Sequence, residues 1–253
     1  MLSTDLLTFY RHIAQQDLTI VDLETTGYKP PQARVTEIAV IHANLKTGIT
    51  FQQTSLMNSQ TQIPEFIVQL TGIRQTMVDN APLASELWPQ YWPWLQPGIL
   101  TCHNLEFDYA FLKAELRHCQ IDFSKFKQER FCTLQLARLM LPDLPSRSLP
   151  DLVKHFGFTV GQSHRAAADA LACWLLAQRL LTEILDTEDR VLLERFGQQW
   201  LPLAEVARIL QCKPQAATLR LQQAGIEPRE SSHRRTLLYP RSAVEALMEH
   251  SSI

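Results

Sequence analysis

Glycine is scarce in this chain, eight residues in 253, and none of the eight falls into a G-x-G-x-x-G or P-loop pattern. Sites that bring backbone against phosphate at fixed glycines, and hence nucleotide-cofactor enzymes, find no support. The G-x-S-x-G turn that exposes a nucleophilic serine is missing as well. Cysteine is limited to five scattered positions, 102, 119, 132, 173 and 212, never in C-x-x-C spacing. Neither a disulfide framework nor a zinc ribbon suits that arrangement; a reduced cytoplasm does. No uncharged apolar run reaches the length of a membrane span, since the best stretch, 166–181, carries Asp169 and Arg179. The opening residues Met1-Leu2-Ser3-Thr4-Asp5 lack a basic head and an apolar block, so no secretion signal is expected. Nothing repeats along the chain, which removes solenoid architectures.

What is present suits a globular protein: 45% apolar and 20% charged residues can bury a substantial core. The net charge of −2 argues against binding by a global positive field. Its distribution is uneven, with 17 basic against 21 acidic residues up to Gly197 and seven against five from Gln198 onward. An acidic body thus carries a mildly basic tail. Apolar spacing predicts an amphipathic helix over 1–16, then strands over 18–23, 35–43 and 49–56 with turns at 27–31 and 46–48. Short connections make these an antiparallel meander. Helices dominate from Pro64, with one further strand at 98–102 feeding a helix near Asn104, and helices over about 133–141, 149–156 and 165–185. Ser148-Leu149-Pro150-Asp151 reads as a capping box, which makes Asp151 a cap rather than a catalyst. The aromatic-rich stretch 87–95 reads as a proline-kinked helix facing the core. The fold class is α/β, a mixed sheet flanked by helices.

Three clusters carry chemistry. Asp22 and Glu24 lie two apart on an apolar strand, so alternation places both on one face. Neighbouring acids repel, and crowding them at a strand end suggests oxygen ligation of a hard metal ion. His103-Asn104-Leu105-Glu106-Phe107-Asp108 follows the later strand and sets Asp108 in the first turn of a helix. His164 precedes Asp169 by five residues, and Asp169 interrupts an otherwise small, apolar helix face.

D-x-E followed by Thr25-Thr26-Gly27, then N-x-x-F-D, then H-x-x-x-x-D, in that order, resembles the DEDDh family of 3′-5′ exonucleases. That family includes the proofreading epsilon subunit of bacterial replicative polymerases, RNase T and oligoribonuclease. The resemblance covers about residues 17–183, and Glu37 and Leu70-Thr71-Gly72-Ile73 match further elements of it. Leu105 departs from the pattern, standing where many members have a smaller residue. An RNase H-like sheet is implied. Asp22, Glu24, Asp108 and Asp169 would hold two Mg²⁺ or Mn²⁺ ions, with Asp22 bridging, because two ions about 3.5–4 Å apart serve both the attacking and the leaving oxygen. His164, whose ordinary pKa of about 6.5 lies close to working pH, would be the general base. Thr25 and the Leu70–Ile73 segment would hold the terminal nucleotide, and Asn104 would orient the loop bearing Asp108.

The tail reads as a second unit. Residues 201–210 and 215–224 pattern as two helices around a Lys213-Pro214 break, followed by a basic stretch at 229–239 and a last helix at 242–249. This resembles a MerR-type winged helix-turn-helix, with Gln211 and Lys213 where that family commonly has Gly and Ser. Gln215, Thr218, Arg220 and Gln222 on its second helix, and Arg234 and Arg235 on the wing, are the DNA-binding candidates; protein docking or dimerisation is the alternative. The expected organisation is an exonuclease domain over 1–185, a connector over 186–198 and the winged helix over 199–253. The expected activity removes monophosphates from single-stranded or frayed DNA 3′ ends in the cytoplasm, in a polymerase or repair complex and away from membranes. An RNA exonuclease is the same-class alternative, since this chemistry does not touch the 2′ position. A DNA-binding regulator with an inert exonuclease fold is the other.

Overall fold

The computed structural model describes residues 1–231 and 235–249. After helix α1 (Ser3–Ile13), strands β1 (Leu18–Thr25), β2 (Val35–Asn44) and β3 (Gly48–Leu56) form the antiparallel meander. Two short helices, α2 (Glu65–Thr71) and α3 (Gln75–Asp79), lead to α4 (Ala84–Tyr91). Strand β4 (Ile99–Cys102) then pairs parallel with β1 and feeds α5 (Leu105–His118). Strand β5 (Arg130–Cys132), parallel to β4, completes a mixed five-stranded sheet in the order β3-β2-β1-β4-β5. Helices α6 (Thr133–Met140), α7 (Leu149–Phe156) and α8 (Ala166–Asp186) follow.

Sheet position explains residue choice. Strand β1 lies at the centre, and its Leu18, Ile20, Val21 and Leu23 are buried, the near-continuous apolar run of a strand covered on both faces. The edge strand β3 is less buried, exposing Ile49, Thr50 and Gln52. One core joins Val21, Leu23, Ile38 and Val40 of the sheet to Leu87, Trp88 and Tyr91 of α4 and to Phe111, Leu112 and Leu116 of α5. The stretch 87–95 is helical with Pro89 inside, continues as a tight turn over Trp92–Leu95, and buries Leu87, Trp88, Tyr91 and Leu95 against that core. The Ser148 cap forms, its hydroxyl accepting from the Asp151 amide and donating to the Asp151 carboxylate at 2.6 Å.

Two elements went unread in the sequence. Strand β5 has three residues, too few to show alternation, and only Phe131 in it is buried. The charged stretch read as a connector is helical over α9 (Asp189–Gly197), held by Leu192 and Phe196, which are four apart and fully buried.

Beyond α9 come β6 (Trp200–Pro202), α10 (Leu203–Ile209), α11 (Pro214–Gln223), β7 (Arg229–Glu230), β8 (Leu237–Pro240) and α12 (Arg241–Glu249). The strands make an antiparallel sheet in the order β6-β8-β7 over a core of Leu201, Val206, Leu210, Leu221, Tyr239 and Val244. Gln211 takes a left-handed φ of 50° in the α10–α11 turn, and Lys213 at the start of α11 makes no side-chain cap. These are the positions where the resembled family has Gly and Ser, residues suited to a left-handed turn and a helix cap. Gln215, Gln222 and Arg235 are exposed, and the Thr218 hydroxyl donates back to the Pro214 carbonyl. Arg220 donates to the carbonyls of Leu210 and Leu247, a tether inside this cluster of helices. Arg234 lies outside the described residues.

Compactness divides the chain into two units. One comprises Ile13–Leu136 and Pro145–Thr182; the other comprises Met1–His12, Ala137–Leu144 and the residues from Glu183 onward. In the second, Arg241 is 5% exposed and donates to Gln199, Glu245 and the Met1 carbonyl. No helix among the described residues is long and apolar enough to cross a membrane.

Candidate active site

Strand β1 ends in a bulge: Glu24 pairs with Glu37, but Thr25 pairs with Val35. The bulge turns the chain sharply after two acids that share a face, so both reach the same end of the sheet. Strand β4 ends beside it. Asn104 adopts a left-handed φ of 74°, which starts α5 at once and puts Asp108 in its first turn, 3% exposed. The backbone amides of Asp108 itself and of Leu23 favour the Asp108 anion, against its burial. From the third element, His164 at φ 61° donates its backbone N–H to an Asp169 carboxylate oxygen at 3.0 Å.

These residues meet in one cleft of about 360 Å³ lined by Asp22, Glu24, Thr25, Leu70, Thr71, Asn104, Asp108, His164 and Asp169. Ligand atoms of Glu24, His164 and Asp169 all lie within 4.8 Å of one another. Asp22, Glu24, Asp108, Asp169 and His164 therefore face the same space, as do Thr25, Leu70, Thr71 and Asn104, whereas Gly72 and Ile73 of the expected nucleotide-holding segment do not. Leu105 does not line it; its side chain packs against the sheet core, so it leaves the pocket's shape alone.

The electrostatics are those of crowded anions short of a counter-charge. Loss of water raises the Asp22 carboxyl well above the ordinary range, and Asp108, Asp169 and Glu24 push it the same way. Glu24 is pushed up to about 8, first by burial and then by Asp169 and Glu37, with Arg165 opposing. Burial dominates in Asp108 and Asp169 too, each raised against hydrogen bonds that favour its anion. Four oxygen donors that destabilise one another's charge suit hard divalent cations, whose binding removes that penalty.

The residues expected to hold the nucleotide spend their polar groups on shaping the backbone. The Thr25 hydroxyl donates to the Gly27 carbonyl at 2.6 Å, which shapes the turn after the bulge. The Thr71 hydroxyl donates to Ile67 and accepts from the Ile73 amide, closing the end of α2. Ile73 is buried in the small cluster with Ile63, Ile67 and Val78 rather than facing the cleft. Leu70, in contrast, is 43% exposed at the cleft wall.

Tyr28, Ile67, His103 and Phe107, to which the sequence reading gave no role at the site, also line the cleft. Tyr28 is 73% exposed and stacks near Phe66, with centroids 6.1 Å apart and planes at 20°. A large aromatic in the turn that follows the two acids was the available signal. His103 is anchored from both ring nitrogens, to the Thr133 hydroxyl and the Arg147 carbonyl, each at 3.0 Å.

The RNase T family model, described as an exonuclease, matches residues 19–176. The chain belongs to the RNase T exonuclease family. This exonuclease is 31% identical over 166 residues to DNA polymerase III subunit epsilon of Aquifex aeolicus, covering 65% of the chain and 80% of that protein. It is 32% identical over 176 residues to a PolC-type DNA polymerase III of Oceanobacillus iheyensis, covering 68% of the chain but only 12% of that polymerase. The chain is similar in fold to zinc-bound E. coli exonuclease I in complex with single-stranded DNA, with a TM-score of 0.61. That match has 18% sequence identity over 68% of the chain and 42% of the other. It establishes the exonuclease variant of the RNase H-like fold. Residues 19–176 are thus an exonuclease domain, and the chain spans only a small part of the polymerases it matches.

Proposed function

We propose that this exonuclease is of the DEDDh type and removes nucleoside monophosphates from DNA 3′ ends, single-stranded or frayed, with two Mg²⁺ or Mn²⁺ ions. The observation that carries the proposal is the convergence of Asp22, Glu24, Asp108, Asp169 and His164 on one cleft. The four carboxylates would hold the ions, and when bound the ions supply charge stabilisation for the attacking and leaving oxygens. His164 accepts the proton of the attacking water, whose oxygen bonds to phosphorus as the P–O3′ bond breaks. The departing 3′ oxygen takes up a proton and becomes the hydroxyl of the shortened strand, and the released nucleotide keeps its 5′ phosphate. Thr25, Gly27 and the α2 end around Leu70 and Thr71 wall the space for the last sugar and base, and Asn104 holds the loop that delivers Asp108.

The C-terminal unit is proposed as a winged helix-turn-helix that holds DNA through the exposed Gln215, Gln222 and Arg235. The three-stranded sheet behind the α10–α11 pair, and a left-handed turn at Gln211, support that assignment. A role beside a polymerase or in repair accords with the identity to the epsilon subunit. The test is digestion of 5′-labelled DNA and RNA oligomers of equal sequence in Mg²⁺ or Mn²⁺. A ladder shortening from the 3′ end, faster on DNA, is expected; a faster RNA ladder would reassign the substrate, and intact oligomers would remove the enzymatic mechanism.

A further inference from the structure

The general base proposed above sits on an unusual piece of backbone. His164 has φ 61°, a conformation unfavourable for a residue with a side chain and one that persists only where its surroundings over-determine it. On its N-terminal side, its own amide is fixed by Asp169. On its C-terminal side, one buried carboxylate receives everything. Glu37, 2% exposed, accepts from Arg165 Nη2 at 2.6 Å and Nε at 3.1 Å, and from the Ala166 amide at 2.9 Å. Glu37 stands directly opposite Glu24 in the β1–β2 register, so it shares the face of the catalytic carboxylates.

Stability alone does not explain that placement. A buried ion pair roughly breaks even against an apolar pair, and an extra acid beside four acids is unfavourable. What Glu37 gains is a grip on both the guanidinium and the backbone immediately after the base. We infer that Glu37 and Arg165 form a positioning post for His164: the Glu37–Arg165–Ala166 clasp, 128 residues apart in sequence, fixes the left-handed residue between itself and Asp169. Arg165 also offsets the charge that Glu37 adds next to Glu24. Neither residue lines the cleft, so neither is a catalytic residue.

The inference rests on His164 acting as the base, and a four-protein cycle tests it separately. Wild type, Arg165→Met, His164→Ala and the double variant are compared for kcat and KM on a 5′-labelled DNA oligomer, with thermal unfolding as the check on folding. Misplacing a reacting group by about 1 Å costs about 100-fold. Arg165→Met is therefore expected to lower kcat about 10–100-fold with KM within about twofold, and to lower it less than about twofold once His164 is Ala. Equal losses in both backgrounds would overturn the inference while leaving the base assignment intact. A His164→Ala protein as fast as wild type would overturn both. Should Arg165→Met fail to fold, Glu37→Gln takes its place in the same cycle: it keeps the shape and one acceptor oxygen but loses the charge, with the same expected coupling to His164.

Discussion

Replacing Glu24 with Gln should stabilise the metal-free protein at alkaline pH while destroying its activity. The Glu24 carboxyl lies at about 8 in the fold against 4.5 for the free side chain, because burial and the Asp169 and Glu37 carboxylates oppose its charge. An acid whose pKa is raised by folding is bound to its proton longer in the native state than in the unfolded chain. Native stability is therefore greatest below about pH 4.5 and declines as pH rises, with the decline complete above about pH 8. Integrated over that interval at about 1.4 kcal/mol per pH unit, the loss approaches about 5 kcal/mol, and relaxation or water entry reduces it to about half. Gln removes the titration and keeps the shape. Thermal unfolding of both proteins in chelator at pH 5, 7 and 9 measures it: the variant's advantage should be near zero at pH 5 and largest at pH 9. Adding Mn²⁺ should reverse the ranking at pH 9, since only wild type keeps the full ligand set. A difference independent of pH, or one that favours wild type in chelator at pH 9, would refute the reasoning that unpaired carboxylates strain this cleft.

Three further outcomes follow from particular contacts. Tyr28→Ala should raise KM for single-stranded DNA by about fivefold to 100-fold with little change in kcat, since stacking a base on an aromatic is worth about 1–3 kcal/mol; steady-state kinetics decides. Glu115→Ala should destabilise by about 3–5 kcal/mol in denaturant unfolding, because Glu115, 1% exposed, receives Arg34 at 2.6 and 2.9 Å, the Val35 amide and the Trp88 indole. Gln211→Gly with Lys213→Ser should raise stability by about 1–2 kcal/mol, the first by relieving a left-handed side-chain residue and the second by adding a helix cap; calorimetry would show the shift.

The residues proposed as catalytic stood out in the sequence because each carboxylate breaks a local pattern. Asp22 and Glu24 interrupt an apolar strand at spacing two, Asp169 interrupts a small-residue helix face, and Asp108 follows a strand end. Local rules therefore located the carboxylates, and the family resemblance grouped them. What stayed hidden depends on distance or on single residues. The Glu37–Arg165 clasp joins positions 128 apart, and Glu115 meets Arg34 across 81 residues. Strand β5 is too short to show a period, and α9 is masked by its charges because only Leu192 and Phe196 anchor it. Tyr28 looked like one more loop residue until its ring stood open at the cleft.

The central claim is that four carboxylates distant in sequence make one cage for paired divalent ions. Anomalous diffraction from crystals soaked in Mn²⁺ tests it without recourse to activity. The account predicts two peaks among Asp22, Glu24, Asp108 and Asp169, both lost in Asp22→Ala; density elsewhere, or an empty cleft at saturating Mn²⁺, would contradict it.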